Sequence, residues 1–520
     1  MSPRISRRGV LSLAAGVVTA AGVGGPLLTG WRGATSAGAL LPSRVPLPRP
    51  FQRPLPVPPV LAPVRTDATT DYYEVTQRVA DAEILPGLRT QIWGYNGIFP
   101  GPTLVSRSGR RAVVKHRNEL PVPVVVHLHG GHTPPAHDGY PIDLVLPVGK
   151  DGLGGHNPHL AQGDIAHGER EYVYPLDQRA ATLWYHDHRM DFTGPSTWRG
   201  LAGFHLLHDD EEERLGLPTG ERDVPLMITD RSFAADGAFQ YPSRDPNLFH
   251  EAGVTAAYTA GVLGDVILVN GVAWPVAEVP AVRYRLRLLN ASNARRYRLA
   301  LDPPPPGGGG LVQVGTDGGL LERPLAHDAI EVAPGQRYDV VVDFSRYRAG
   351  QAVTLVNEFG AGSTRPVLRF VVGARATDGS RVPDRLSSVP PLDPNRAAAH
   401  RDFAFHLGRV GYQDTWLLNG KPFDPARADA TPRLGDVEVW RLRSDFHHPI
   451  HLHLVMFQVL ARDGRATGPY DAGWKDTVDV RPNEWVDVAA RFTGYAGRYP
   501  VHCHNLEHED MAMMGNFVTH

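Results

Sequence analysis

The chain has 520 residues, a length that predicts about three domains rather than a single core. Its 42% hydrophobic and 21% charged residues argue against a disordered chain. A formal net charge of -2, with no Lys/Arg block, argues against a nucleic-acid partner. The 55 glycines and 47 prolines are typical of many turns and short strands rather than of long helices.

The N-terminal segment has the pattern of an export signal. The arginine pair in Ser6–Arg8 precedes an uncharged, apolar stretch from Gly9 to Trp31, and Ala37-Gly38-Ala39 offers a small-residue cleavage site. The pair resembles twin-arginine signals, which move proteins that are already folded. We therefore expect residues 1–39 to be removed on export to the periplasm, the cell surface or the medium, which leaves no membrane contact in the mature form. The alternative is a retained membrane anchor, for which the apolar run is long enough.

After this segment, a Pro-rich arm at residues 40–64 is expected to be extended. An Asn-Gly turn followed by a period-two strand pattern then occurs three times: Asn96-Gly97 before Ala112–His116, Asn270-Gly271 before Tyr284–Leu288, and Asn419-Gly420 before Val437–Leu442. This repetition predicts an all-β chain of three β-sandwich or barrel domains. They are placed at residues 65–220, 221–377 and 401–520, with a linker at residues 378–400.

Two local features lie near the domain boundaries and loops. Asp209–Leu215 is expected to form a short helix at the first boundary. The low-complexity run Pro303–Gly310 is expected to be a surface loop inside the second domain.

Histidines are concentrated in four clusters, two in the first predicted domain and two in the third. Each cluster contains a His-X-His pair, and on a strand residues i and i+2 project from the same face, so the two imidazoles form a clamp. The eight residues are His127, His129, His186, His188, His451, His453, His502 and His504. Imidazole binds copper, zinc, iron and nickel, and eight imidazoles are too many for one ion. We expect a site for several metal ions between the first and third domains.

The single cysteine, Cys503, lies between His502 and His504, so no intramolecular disulfide can form and its thiol is either inert or a ligand. Alternation directs this thiol to the opposite face from its neighbours, where His448 and His508 can meet it. Two imidazoles and a thiolate, with Met513 as a weak axial ligand, are the ligands of blue-copper electron-transfer sites. A zinc hydrolase is disfavoured, since no suitable ligand pattern follows His188.

These four motifs resemble those of the multicopper oxidases, which include laccases, spore-coat-type laccases, bilirubin oxidases and phenoxazinone synthases. The resemblance covers nearly the whole chain after the signal and includes Gly94–Thr103, Pro225–Phe233 and Gly264–Arg298. It implies three cupredoxin-like domains that bind four copper ions.

The resemblance also implies which residues bind each copper. A type 1 copper would be bound by His448, Cys503, His508 and Met513, with Met511 and Met514 as less favoured axial neighbours. A type 2 copper would be bound by His127 and His451. The binuclear type 3 pair would be bound by His129, His186, His188, His453, His502 and His504. His447 has no matching role and is expected at the surface or behind the ligands.

Reduction of dioxygen to water consumes protons, so buried acids are expected beside the three-copper cluster. Asp138 and Glu509 occupy positions where spore-coat-type laccases carry such acids, although either could be a structural carboxylate. We expect a small aromatic donor to reduce the type 1 copper where His508 or His448 meets solvent.

The expected activity is that of a laccase-like oxidase with dioxygen as acceptor, acting as a monomer. One alternative is a cuprous oxidase, which often carries a Met-rich insertion that this chain lacks. Another is an exported scaffold of the same fold without copper, against which the complete ligand set argues.

Overall fold

The computed structural model describes residues 35–150, 152, 162–411 and 413–520. The arginine pair and apolar stretch of the predicted export signal lie outside these ranges. Within them, no helix has the length and apolar character needed to cross a membrane. The described chain is dominated by strands, as predicted, and three units can be distinguished: the first at residues 65–208, the second at residues 223–372 and the third at residues 399–520.

The first unit pairs a five-stranded sheet (β10-β6-β3-β2, with β4 on β3) with a four-stranded sheet (β5-β12-β11-β7). One short strand, β1, precedes the unit. The strands are β1 (Ala39–Leu41), β2 (Arg65–Thr66), β3 (Thr70–Ala82), β4 (Thr90–Tyr95), β5 (Gly101–Arg107), β6 (Arg111–Asn118), β7 (Val126–His129), β8 (Val145–Leu146), β9 (Ala166–His167), β10 (Glu169–Tyr174), β11 (Ala181–Asp187) and β12 (Ala202–His208).

The second unit pairs a seven-stranded sheet (β16-β15-β13-β18-β23-β20-β21) with a five-stranded sheet (β17-β25-β24-β19-β22). Its strands are β13 (Asp223–Arg231), β14 (Val262–Gly264), β15 (Val266–Val269), β16 (Val272–Ala273), β17 (Val276–Val279), β18 (Arg283–Asn290), β19 (Tyr297–Asp302), β20 (Leu311–Thr316), β21 (Gly319–His327), β22 (Ala329–Val332), β23 (Arg337–Asp343), β24 (Ala352–Asn357) and β25 (Pro366–Val372).

The third unit pairs a five-stranded sheet (β27-β26-β28-β32-β30) with a four-stranded sheet (β31-β29-β33-β34). Its strands are β26 (Ala399–Val410), β27 (Gln413–Leu418), β28 (Val437–Ser444), β29 (His448–Leu452), β30 (Phe457–Arg462), β31 (Thr477–Val480), β32 (Trp485–Arg491), β33 (Gly497–Cys503) and β34 (Met514–Thr519).

Helices in the described ranges are short. The α-helices are α1 (Thr193–Arg199), α2 (Asp210–Glu213) and α3 (Leu506–Asp510), and single 3₁₀ turns occur at Pro135–His137, Gly220–Arg222, Ala256–Tyr258, Phe344–Arg346, Gly362–Thr364 and Pro394–Arg396. The helix predicted at Asp209–Leu215 is therefore confirmed as α2. Asp209 caps it by accepting a hydrogen bond from the Glu212 backbone.

The three period-two segments predicted from the sequence lie in β6, β18 and β28, and Pro303–Gly310 lies in the loop between β19 and β20. Strand β26 begins at Ala399, inside the predicted linker at residues 378–400. The exact domain boundaries stay predictions.

Strand β11 carries His186, is followed directly by His188, and is buried along its whole length. Leu183 and Tyr185 face the core of the first unit, whereas Trp184 packs with Met227 and Leu289 of the second. A strand covered on both faces has no side that faces solvent, so it lacks the alternating polar residues of a half-exposed strand. His186 therefore lies where the units meet.

Residues that the signal prediction assigns to the removed segment already contact the folded chain. Strand β1 runs parallel to β14, Ala37 is buried, and the Ser36 hydroxyl accepts a hydrogen bond from the Arg296 backbone. Cleavage after Ala39 would remove the Ser36 and Ala37 contacts and the first residue of β1 from the mature chain.

A buried ion network joins the first two units. Arg287 donates two 2.7 Å hydrogen bonds to the Asp223 carboxylate and one of 3.1 Å to the Thr182 hydroxyl. Its guanidinium also lies 3.3 Å from the Glu212 carboxylate. Arg287 is fully buried, so loss of its charge leaves Asp223 and Glu212 away from water with Arg285 as their remaining arginine partner.

We expect Arg287→Ala to destabilise the protein by about 3–5 kcal/mol, the usual loss when one partner of a buried pair is removed. The shift in the chemical denaturation midpoint measures the effect. Arg365→Ala, which breaks an exposed pair with Asp302, is the control and should cause little change. Equal shifts for the two variants would contradict the role of the network.

Candidate metal centres

Strand pairing brings the four His-X-His motifs together. Within the first unit, β7 and β11 pair so that His127 lies opposite His186. Within the third unit, β29 and β33 pair so that His451 lies opposite His502. All eight imidazoles are at most 1% exposed and meet between the first and third units, as the sequence predicts.

The eight imidazoles form three groups whose ligand nitrogens converge. One group is His129, His186 and His504, a second is His188, His453 and His502, and the third joins His127 and His451 to His129. In the second group the three Nε2 atoms lie 3.2–3.3 Å apart. This partition separates the predicted type 3 ligands into two sets of three and leaves the predicted type 2 pair adjacent.

Hydrogen bonds fix the orientation of these rings. His127 and His451 each donate from Nδ1 to a backbone carbonyl, that of Asp138 and that of Asp476 respectively. His186 donates from Nδ1 to the Asp187 carbonyl. Since a carbonyl can only accept, the proton lies on Nδ1 and the lone pair on Nε2.

Seven nitrogens of these rings have no hydrogen-bond partner among the described residues: Nε2 of His127, His186, His451 and His504 and Nδ1 of His129, His188 and His504. Burial, and then the neighbouring imidazoles, lower the pKa of His127, His188 and His453 well below 6.5, so these rings are neutral. Buried neutral imidazoles with convergent free lone pairs fit divalent transition-metal ions.

The eight imidazoles together form the larger cluster. A smaller ligand group, made of His448, Cys503 and His508, lies on the opposite face of β33. The Cys503 Sγ atom is 3.4 Å from His448 Nδ1 and 3.6 Å from His508 Nδ1, and the two Nδ1 atoms are 3.0 Å apart. All three side chains are fully buried. Burial raises the pKa of the Cys503 thiol well above its ordinary value, so formation of the thiolate requires a cation at this point.

The methionines differ in their surroundings. The Met513 carbonyl accepts from the Cys503 backbone and its N–H donates to the His508 carbonyl, so this residue adjoins both ligands. Met511 lies against Gly253 of the second unit, and Met514 packs with Tyr140 and other apolar residues. The backbone arrangement favours Met513, and its axial role stays a prediction.

Neither imidazole of this group is exposed, so the expectation that His448 or His508 meets solvent is wrong. The Trp416 ring stacks on His508 with 3.7 Å between centroids. His508 Nε2 donates to the Ala260 carbonyl at 3.1 Å, and His448 Nε2 donates to the Asp445 carboxylate at 3.1 Å. Elements distant in sequence cover both rings, which a local motif does not reveal.

Both predicted acids lie beside the larger cluster. An Asp138 carboxylate oxygen is 2.7 Å from His453 Nδ1, and burial raises the pKa of this carboxyl well above its ordinary value. The two Glu509 oxygens lie 3.2 Å from Nδ1 of His188 and of His502. His447 is buried, with Nδ1 3.8 Å from the Asp479 carboxylate.

The sequence analysis did not identify Asp476, which contacts a histidine of the larger cluster. Its carboxylate accepts from His129 Nε2 at 3.0 Å and from the Arg337 guanidinium through two hydrogen bonds of 2.7 and 2.6 Å. Against the effect of burial, Arg337 and then His129 hold the pKa of Asp476 well below its ordinary value. Arg337 belongs to the second unit, which thereby orients a ligand of the first. No local spacing in the sequence indicates this contact.

Known proteins share these features. Family models described as multicopper oxidase match residues 77–212, 241–365 and 392–520. A laccase from Bacillus subtilis is 37% identical over 88% of this chain and 96% of its own, and a bilirubin oxidase from Albifimbria verrucaria is 35% identical over 90% and 81%.

Solved structures agree with the sequence relatives. A multi-copper oxidase from Pediococcus acidilactici superposes with a TM-score of 0.79 at 33% identity, covering 92% of this chain and 93% of its own. The McoA multicopper oxidase from Aquifex aeolicus gives a TM-score of 0.74 at 29% identity, covering 90% of this chain and 99% of its own. With two buried ligand groups of the expected chemistry and matches over most of its length, this chain belongs to the multicopper oxidase family.

Proposed function

We propose that this protein is a laccase-type oxidase that takes single electrons from phenols or related aromatic donors and uses them to reduce dioxygen to water. The observation that carries the proposal is the position of Cys503 between His502 and His504, with its sulfur facing the smaller ligand group and both imidazoles facing the larger one. The named laccase and bilirubin oxidase relatives support it.

We propose four coppers in these groups. The type 1 ion would be held by His448, Cys503, His508 and Met513, the type 2 ion by His127 and His451, and the type 3 ions by His129, His186 and His504 and by His188, His453 and His502. When bound, copper supplies one-electron redox chemistry and sites for dioxygen.

The protein's own part is to bring the two groups together and to hold protons. Cys503 is bonded through the backbone to a histidine of the larger cluster on each side, so an electron has a short covalent path. Asp138 and Glu509 hold their carboxylates against histidines of the larger cluster, where protons are consumed. The buried site excludes bulk water from the reduction.

The alternatives are less favoured. A cuprous oxidase often carries a Met-rich insertion, which this chain lacks, and Met190 and Met227 are buried in apolar clusters. A copper-free scaffold has no use for buried, unpartnered imidazole nitrogens. Because every ligand group forms within one chain, we propose a monomer.

We also propose that the chain is exported and that cleavage occurs before Thr35. The Arg296 guanidinium donates to the Thr35 carbonyl, and Ala39 donates a 2.9 Å hydrogen bond to the Gly261 carbonyl. These contacts argue for retaining residues from Thr35 onward.

Oxygen uptake by the copper-loaded protein tests the activity. We expect rapid uptake with a dimethoxyphenol, four electrons consumed per dioxygen and no released peroxide. Cuprous ion is the comparison donor. Oxygen uptake with cuprous ion alone would indicate a cuprous oxidase that acts in copper detoxification. A purified protein that binds almost no copper would indicate a scaffold without enzymatic activity.

Glu509→Gln should lower oxygen turnover on the order of 100-fold, because the amide cannot deliver a proton where the carboxyl does. Turnover is measured at full copper occupancy. The control is Glu438→Gln, which alters a buried glutamate whose partners are Arg401 and Trp440. Unchanged turnover in Glu509→Gln would remove this residue from the mechanism.

The intact mass of the exported protein tests the processing. We expect a mature N-terminus at or before Thr35, because the arm must keep its contacts with the second unit. A mass that corresponds to a chain beginning at Leu40 would contradict this expectation.

A further inference from the structure

A segment of the second unit lies over the smaller ligand group. We call residues 260–264 the strap; it comprises Ala260, Gly261 and strand β14. The Ala260 carbonyl accepts from His508 Nε2 at 3.1 Å and from the Asn505 side-chain amide at 3.0 Å. Since His508 belongs to the third unit, its orientation depends on how firmly the strap is held against helix α3.

Glu507 fastens the strap to helix α3. One carboxylate oxygen accepts from the Val262 backbone N–H at 3.0 Å. The other accepts from the Tyr241 hydroxyl and from the Asn293 amide, each at 2.8 Å. All three donors belong to the second unit, and Glu507 is fully buried. Hydrogen bonds to a buried carboxylate are among the stronger ones in proteins.

The arm holds the strap from its other side. Strand β1 pairs with β14, with Ala39 opposite Val262, and the Ala39 N–H donates to the Gly261 carbonyl. A Cβ atom at Gly261 would lie 2.6 Å from the Ala37 carbonyl oxygen and 3.1 Å from the Asn505 amide. The strap therefore has no free space between the arm and the third unit.

We propose that Glu507 is a positioning residue for the type 1 site, in that it holds the strap so that Ala260 fixes His508 with Nδ1 toward Cys503. The inference rests on the proposed function, which makes His508 a copper ligand. Orientation of a metal-bound histidine by a partner on its other nitrogen is a general requirement of metal sites. Here the partner is a carbonyl, and Glu507 sets the place of that carbonyl.

The chemistry of the contact explains why a carboxylate is needed. Both oxygens accept, one from Val262 and the other from Tyr241 and Asn293. A glutamine in this place has one accepting oxygen and one donating nitrogen. Either the Val262 N–H or the Asn293 amide N–H would then face another donor, whereas the Tyr241 hydroxyl can turn to accept.

The test is Glu507→Gln in the full-length, copper-loaded protein. Copper titration is followed by the blue thiolate absorption and by electron paramagnetic resonance, and donor kinetics give kcat and KM separately. We expect 10–100-fold weaker copper binding at the type 1 site or a 10–100-fold lower kcat, the usual effect of losing an outer partner of a ligand. The type 1 signal should change while the signals of the three-copper cluster stay.

Glu438→Gln is the matched control, since it alters a buried, hydrogen-bonded glutamate of the same unit. A type 1 signal and copper affinity that are unchanged in Glu507→Gln, with only the loss of thermal stability that the control shows, would overturn the proposal. If Glu507→Gln does not fold, Asn293→Ala removes one donor and leaves helix α3 intact. A changed type 1 signal in that variant supports the proposal, and an unchanged one overturns it.

The outcome is distinct from failure of the proposed function. A wild-type protein without blue absorption or phenol-driven oxygen uptake would refute the function itself. A normal wild-type protein whose Glu507→Gln variant behaves as the Glu438→Gln control would refute the positioning role alone.

Discussion

The structure depends on the burial of eight imidazoles whose ligand nitrogens converge between the first and third units. A buried polar atom without a partner costs free energy, and six such nitrogens belong to His127, His129, His186, His451 and His504 alone. No hydrogen bond among the described residues compensates them. Bound copper ions would supply the missing partner, and copper binding would then stabilise the fold.

Holding these rings takes residues from all three units. Asp138 of the first unit contacts His453 of the third, and Asp476 of the third contacts His129 of the first. The second unit holds none of the predicted ligands, yet its Arg337 neutralises and orients Asp476. Its residue Gly335 has a φ of +82° and lies so close to His504 that a Cβ atom there would approach the ring to 3.0 Å. The second unit thus shapes the cluster without contributing a ligand.

The sequence predicted the parts of the site that depend on local geometry. Strand alternation places His502 and His504 on one face and Cys503 on the other, and the structure shows this division. It also predicted the all-β class, because Asn-Gly turns and period-two alternation are local patterns that can be recognised without knowing which strands pair.

The residues missed by the sequence analysis act over long separations along the chain. Arg337 and Asp476 are 139 positions apart, and Ala260 and His508 are 248 apart. Nothing near either residue indicates its partner. The same reason explains the wrong expectation of exposed imidazoles, since a cover formed by Ala260 and Trp416 depends on how the second and third units pack.

That cover has a consequence for how a donor can react. Because His448 and His508 are both fully buried, a donor in solution cannot contact either ring. The Asp445 side chain, which is hydrogen-bonded to His448, remains 22% exposed and separates that ring from solvent. An electron can be transferred across such a short distance through the protein. A covalent bond between the donor and a copper ligand cannot form across it. The geometry therefore suits donors that give up one electron readily, as phenols do. The residues that cover the two rings then determine which of these donors can bind.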